Sequence, residues 1–156
     1  MKEVILIKNG ELALKGLNRR TFEDMLMANM RRRLADLGKF TFTPAQSTIV
    51  CEGPEDADLD EATDRLLKIF GIAGLSRAAA VEKDMDVILS VCPEYMAPLL
   101  KGSTTFKVEA KRSDKKFPLT SPQICKAVGE KILSKFYHLR VDVHNPDIIV
   151  NIEIRD

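Results

Sequence analysis

The feature that most restricts how this chain can fold is that its apolar spacing switches repeatedly between two and about three and a half residues. Val4 to Lys8 reads as a short strand, closed by Asn9-Gly10. Phe22, Met25, Leu26, Met30, Leu34 and Leu37 then recur at helical spacing, with Asn18 as N-cap and Gly38 as the stop. Phe40 to Thr43 and Thr48 to Glu52 read as two strands joined around Pro44, the second carrying the β-branched run Thr48-Ile49-Val50. Asp58 to Phe70 reads as a helix whose acids sit at the start, where the dipole favours them. It turns Leu59, Ala62, Leu66, Leu67 and Ile69 or Phe70 to a core. Ile72 to Val81 returns as a strand. The order strand, helix, strand, strand, helix, strand is a split βαβ arrangement, the ferredoxin-like plan, closing one core near residue 80.

A second unit begins at the charged Glu82-Lys83-Asp84. It runs as a helix from Met85 to Leu100, a strand from Thr105 to Lys111, a basic loop, a helix from Pro122 to Phe136 and two further strands. In those strands Leu139, Val141 and Val143 alternate with Arg140, Asp142 and His144, and Ile148, Val150, Ile152 and Ile154 alternate with Ile149, Asn151, Glu153 and Arg155 after the turn Asn145-Pro146-Asp147. The expected class is therefore α+β, with a ferredoxin-like βαββαβ domain over 1–80 and an α/β domain over 81–156. The second is expected to be incomplete at its C-terminal end. With 156 residues, 45% of them apolar, the chain can bury one medium core or two small ones.

No apolar run approaches the roughly 18 residues that span a bilayer, and Met1-Lys2-Glu3 does not open a signal peptide. No membrane partner is expected, and the expected location is the cytoplasm. Cys51, Cys92 and Cys125 are an odd set without C-x-x-C spacing or a histidine cluster, so neither a disulfide framework nor a metal site is expected. His138 and His144 have no nucleophile or acid pair beside them in sequence, and no catalytic residue is assigned.

The formal net charge of +1 conceals an uneven distribution. Seven Lys/Arg face three Asp/Glu between Lys8 and Arg33, and ten face three between Lys101 and Arg140, while Glu52 to Asp64 holds seven acids and no base. The densest basic stretch is Lys111-Arg112-Ser113-Asp114-Lys115-Lys116-Phe117-Pro118, set between a strand and a helix. Ser121-Pro122 supplies an N-cap and a proline at the first helical position, which would leave free N–H groups and a positive dipole end beside the loop. Such a loop suits a phosphate, although ordinary surface lysines in a crossover make the same pattern. Phe117 suits either stacking on an unpaired base or packing beneath its own domain.

A second constellation, Gly10-Glu11-Leu12-Ala13-Leu14-Lys15-Gly16, separates the first strand from the first helix. It lacks the Lys-Ser/Thr of a Walker loop, and on physical grounds it reads as a connection needing glycine at two positions, with Glu11 and Lys15 paired. On the following helix Arg20 and Arg31 fall on one side, away from the apolar stripe. There they can track phosphates about three turns apart.

The run Gly10 to Gly16 with Asn18-Arg19 and Phe22 resembles the opening of the ThiI-type tRNA sulfurtransferases, the tRNA 4-thiouridine synthetases. The second half resembles a THUMP RNA-binding domain through Phe106-Lys107-Val108, Lys111-Arg112, Lys115-Lys116-Phe117-Pro118, Ser121, Val128-Gly129, Val141-Asp142-Val143, Asn145-Pro146-Asp147 and Val150-x-Ile152-Glu153-Ile154. The resemblance implies a ferredoxin-like domain followed by an α/β THUMP domain that grips the acceptor end of tRNA. In the whole enzyme a further ATP-pyrophosphatase domain, using ATP and Mg, would adenylate a uridine and receive sulfur from a persulfide donor such as a cysteine desulfurase. In some members that sulfur also feeds thiamine biosynthesis. No Ser-Gly-Gly-x-Asp-Ser phosphate loop, which such a domain would carry, occurs in these residues, so no cofactor and no catalytic activity are expected of them alone.

The residues expected to meet RNA are Lys15, Arg19, Arg20, Arg31, Lys111, Arg112, Lys115, Lys116 and Phe117, on a basic surface drawn from both halves. A homodimer is a further possibility. Two other readings stay open at this point: a THUMP-containing RNA methyltransferase or other RNA-modifying enzyme, and a ferredoxin-like regulatory domain that binds a metabolite.

Overall fold

A computed structural model describes residues 2–9, 19–45 and 48–156, with residues 9, 19, 20 and 45 described by their backbone. The chain divides into two compact units, Met1–Ala80 and Val81–Asp156. Among the described residues, no helix is long and apolar enough to cross a membrane.

In the first unit the elements are β1 (Lys2–Asn9), α1 (Arg19–Leu34), β2 (Thr41–Ala45), β3 (Thr48–Glu52), α2 (Leu59–Leu67) and β4 (Ile72–Ala80). They form the antiparallel sheet β2-β3-β1-β4 of a ferredoxin-like fold. Ile5 and Ile7 lie opposite Cys51 and Ile49 and meet Leu26, Met30 and Leu34 of α1 and Ala62 and Leu66 of α2 in one core. After α1 a 3-10 turn, Ala35–Leu37, ends at Gly38, whose φ of 133° only glycine adopts cheaply.

Three expectations need correction here. Pro44 lies inside β2, opposite Ile49, and not in the connection between strands. β2 is an edge strand, the place in a sheet where proline is tolerated. Leu67, expected inside, is 57% exposed, and of the alternatives Ile69 and Phe70 it is Ile69 that is buried. Helix α2 starts at the Asp58 cap and stops at Lys68, so the chain leaves helical phase and Ile69 takes the buried position. Met25, placed on the apolar stripe of α1, is also exposed, while Leu26 and Met30 carry the contact.

The second unit contains α3 (Met85–Tyr95), α4 (Ala97–Lys101), β5 (Thr105–Arg112), α5 (Ser121–Lys135), β6 (Arg140–Val141) and β7 (Ile148–Ile154). The single helix expected from Met85 to Leu100 is two helices meeting at Met96. Pro98 has no N–H to give the carbonyl four residues back, so the ladder is broken there. Phe106, Leu100, Ile124, Val128, Ile132, Val150 and Ile154 form the second core.

The last two strands are not hairpin neighbours. They lie on opposite sides of β5, both parallel to it, and β6 is only two residues long. The alternation from Leu139 to Val143 does not propagate because the Asp142 carboxylate accepts the N–H groups of His144 and Asn145, each at 3.0 Å, turning the chain. The Asp147 carboxylate accepts the N–H groups of Thr104 and Thr105 at 2.8 and 3.2 Å and so fixes the start of β5. These bonds hold both carboxyls below the usual carboxylate range.

Candidate nucleic-acid interface

The basic loop is a continuation of the β5–β7 pairing. Arg112 lies beside Ile154, and the carbonyl of Ile154 accepts the next two N–H groups, from Ser113 at 2.8 Å and Asp114 at 3.3 Å. Asp114 then turns the chain: one carboxylate oxygen accepts the Lys116 N–H at 3.0 Å, the other accepts the Lys83 ammonium at 2.8 Å. The Lys83 ammonium is the main reason the Asp114 carboxyl sits below its usual range, with the Lys116 N–H second. The far end is anchored by Phe117, 6% exposed and part of the second core.

That burial decides between the two readings of Phe117. Its ring face is inside the domain and is not offered to a base, so the stacking role is withdrawn.

The four cations of the loop do different things. Arg112 Nη1 donates to the carbonyls of Phe117 at 2.9 Å and Lys115 at 3.4 Å, and Lys115 Nζ donates to the Arg112 carbonyl at 3.0 Å. Those two tie the loop to itself. Lys111 and Lys116 are exposed, and among the described residues no hydrogen bond or ion pair engages either ammonium. Glu153, the cross-strand neighbour of Lys111, is taken by Arg155 at 2.6 Å. The loop thus holds its shape with Arg112, Lys115 and Asp114 and presents Lys111 and Lys116.

The start of α5 differs from expectation. The N-cap is Thr120 and not Ser121, in a capping box: Thr120 Oγ1 accepts the Gln123 N–H at 3.4 Å while Gln123 Oε1 accepts the Thr120 N–H at 2.9 Å. Pro122 has no N–H, so the box and the proline together leave Ser121 as the one first-turn donor without an acceptor among the described residues. The helix end contributes its dipole to the loop, but not the array of free donors expected from the sequence.

With this geometry in hand, comparison with known proteins is specific. Residues 4–76 match the model of the ThiI ferredoxin-like domain, and residues 82–156 match the THUMP domain. The chain is a ThiI ferredoxin-like domain followed by a THUMP domain. A probable tRNA sulfurtransferase of Acetivibrio thermocellus is 43% identical over all of this chain and 41% of the relative's length. The chain therefore spans about two fifths of the curated relatives it matches. A crystal structure of a 4-thiouridine synthetase–RNA complex with bound ATP superposes with TM-score 0.85 at 30% identity, over 99% of this chain and 39% of that one. A structure of a Pyrococcus horikoshii protein gives 0.79, also at 30% identity, over 99% of this chain and 51% of that one.

Within the ThiI ferredoxin-like domain the candidate cations are less concentrated. The Gly10 to Gly16 motif, with Lys15, lies outside the described residues. The backbone places Arg19 and Arg20 in the first turn of α1, a turn with no acid. Cations at a helix N-terminus oppose the macrodipole, so helix stability does not explain them. Arg31 is exposed on the last turn of α1, its guanidinium 5.9 Å from the ring centroid of Phe42.

Cys51 and Cys92 are pushed up by burial to about 12 and about 11, which keeps both thiols protonated near neutral pH. The residue that sequence reasoning missed is Asp114. Its signal was available: a single acid inside a run of cations.

Proposed function

We propose that this chain is the tRNA-binding region of a tRNA uridine 4-sulfurtransferase, and that it holds RNA chiefly through backbone phosphates. The observation that carries the reading is the braced loop of the THUMP domain, which shows solvent the ammonium groups of Lys111 and Lys116, engaged by no hydrogen bond or ion pair among the described residues. The likeness to a 4-thiouridine synthetase solved with RNA supports tRNA as the polyanion. Arg112 and Lys115 act by shaping the loop, and Arg19, Arg20 and Arg31, with Lys15, add phosphate contacts from the ferredoxin-like domain.

The wider reading rests on the family alone. In a full-length protein the adenylation of uridine with ATP and Mg, and the receipt of sulfur from a persulfide donor such as a cysteine desulfurase, belong to other domains. The acceptor end of tRNA is the region held here, the cytoplasm is the location, and a homodimer is the assembly to test first.

The test is a salt titration of tRNA affinity for the wild type and for the double reversal K111E/K116E. The wild-type affinity is expected to fall linearly on a log-log plot as counterions are released, and the variant slope to be shallower by about 2, one unit for each lost phosphate contact. Random duplex DNA is expected to bind more weakly than tRNA at every salt concentration. A variant with wild-type affinity and slope would remove the loop from the interface.

A further inference from the structure

A carboxylate in a phosphate-binding loop is a liability by Coulomb's law, yet Asp114 is the most connected side chain of this one. Its side chain is 18% exposed, and its oxygens accept the Lys116 N–H and the Lys83 ammonium at 3.0 and 2.8 Å. Its own N–H reaches the Ile154 carbonyl at 3.3 Å, and its carbonyl accepts the Phe117 N–H at 3.3 Å. Asp114 therefore links β7, the buried anchor of the loop and the segment that opens the second unit. Lys83 supplies the opposite charge, so the carboxylate does not meet an incoming phosphate uncompensated.

We propose that Asp114 is a positioning residue for RNA binding: its carboxylate sets the backbone from Arg112 to Phe117 so that Lys111 and Lys116 project together, and a negative charge in the site thereby strengthens phosphate binding. The proposal rests on the tRNA reading above and adds to it a residue that touches no RNA. It makes the sign of an effect diagnostic. If charge alone governs the loop, removing the carboxylate raises the local positive charge, tightens tRNA binding and steepens the salt dependence. If position governs, binding weakens in spite of the added charge.

The variants are D114N, D114A and D114E, with tRNA affinity measured across salt by fluorescence anisotropy and amide hydrogen exchange of Lys116 and Phe117 followed in the free protein. D114N keeps an acceptor for the Lys116 N–H and loses the Lys83 ion pair; D114A loses both; D114E restores the charge on a longer arm. The expected order of affinity is wild type, D114E, D114N, D114A. The last is about tenfold weaker than wild type, the scale of one charge-assisted hydrogen bond, and has a shallower salt slope. Exchange at Lys116 and Phe117 is expected to quicken in the same order. D114A and D114N carry the same charge, as do D114E and wild type, so a difference inside either pair reports position.

Tighter or unchanged binding in D114N and D114A overturns the proposal, as does unaltered exchange at Lys116. Should D114A lose its folded unit 81–156 in a thermal melt, the comparison of D114N with wild type still decides the sign. The tRNA reading fails separately: if wild-type affinity ignores both salt and K111E/K116E, both ideas fall. If wild type depends on salt and on those lysines while D114A binds at least as well, only the positioning role is lost.

Discussion

The two units carry the same number of cations, twelve Lys and Arg in residues 1–80 and twelve in 81–156, and use them differently. In the first, arginines reach across the fold to close it. Arg65 binds Asp36 at 2.6 Å, Glu61 at 3.0 Å and the carbonyl of Arg33 at 3.0 Å. Arg77 joins Glu3 at 2.7 Å and also Asp60. These carboxylates push both guanidinium groups above their ordinary range. In the second, the loop after β5 holds itself together with backbone carbonyls as acceptors, and among the described residues no hydrogen bond or ion pair engages the ammonium groups of Lys111 and Lys116. A net charge near zero therefore says little about what a surface can bind; the count that matters is of cations whose partners are elsewhere.

The severest test of this contrast is at Phe117, because the availability of Lys111 and Lys116 depends on a loop fastened to the core. Phe117→Ala is expected to cost the second unit about 3–5 kcal/mol, the range for removing a buried aromatic, and to abolish tRNA binding with it. Phe117→Leu keeps an apolar anchor and is expected to retain tRNA affinity with a smaller stability loss of about 1 kcal/mol. Chemical denaturation and anisotropy on the same samples separate the two effects. Lost affinity in a well-folded leucine variant would restore a direct role for the ring.

A smaller effect is expected when arginines of the first unit are neutralised. Arg65→Gln and Arg77→Gln should leave tRNA affinity and its salt slope within twofold of wild type, in contrast to K111E/K116E, since those guanidinium groups are already engaged by carboxylates. Their stability cost should be small, because exposed ion pairs contribute little. A loss of tRNA binding as large as that of K111E/K116E would show that pairing inside the fold does not withdraw a cation from the interface.

How far the sequence could be read follows the range of the interactions involved. The order of strands and helices was legible because it rests on local periodicity, and the acidic start of α2 marked its Asp58 cap within a residue. Strand neighbours were not, since nothing in Val141 or Ile148 says that each will pair with β5 and not with the other. Pro44 was misplaced for the same reason: proline in a strand is harmless only at an edge, and edges are decided by the whole sheet. In the candidate site, the density of Lys111, Arg112, Lys115 and Lys116 was plain, but their division into braces and free ends depends on where the carbonyls of Lys115 and Phe117 point. Phe117 was ambiguous because an aromatic among cations has the same letter whether it stacks outward or packs inward.

The gentlest probe is acid, and it divides the carboxylates by what holds them. Asp36 in the first unit and Asp114 in the second are lowered chiefly by a cation, Arg65 and Lys83, whereas Asp142 and Asp147 are lowered chiefly by backbone N–H groups. In each case the folded pKa lies below the unfolded value near 3.9, so the stabilisation is complete above that pH and is lost as pH falls through the folded value. Among the described residues, three such carboxylates in the second unit against one in the first predict that acid destabilises residues 81–156 more than the described residues of the first unit, followed by amide signals. Salt should then separate the mechanisms. Because ions screen exposed charge pairs but not fixed hydrogen bonds, raising ionic strength should move the Asp36 and Asp114 titrations toward the ordinary value and leave Asp142 and Asp147 nearly in place. Side-chain carboxyl resonances read all four. A salt-insensitive Asp114 would mean that the Lys116 N–H, and not Lys83, sets its charge, and that the loop keeps its shape without help from the segment opening the domain.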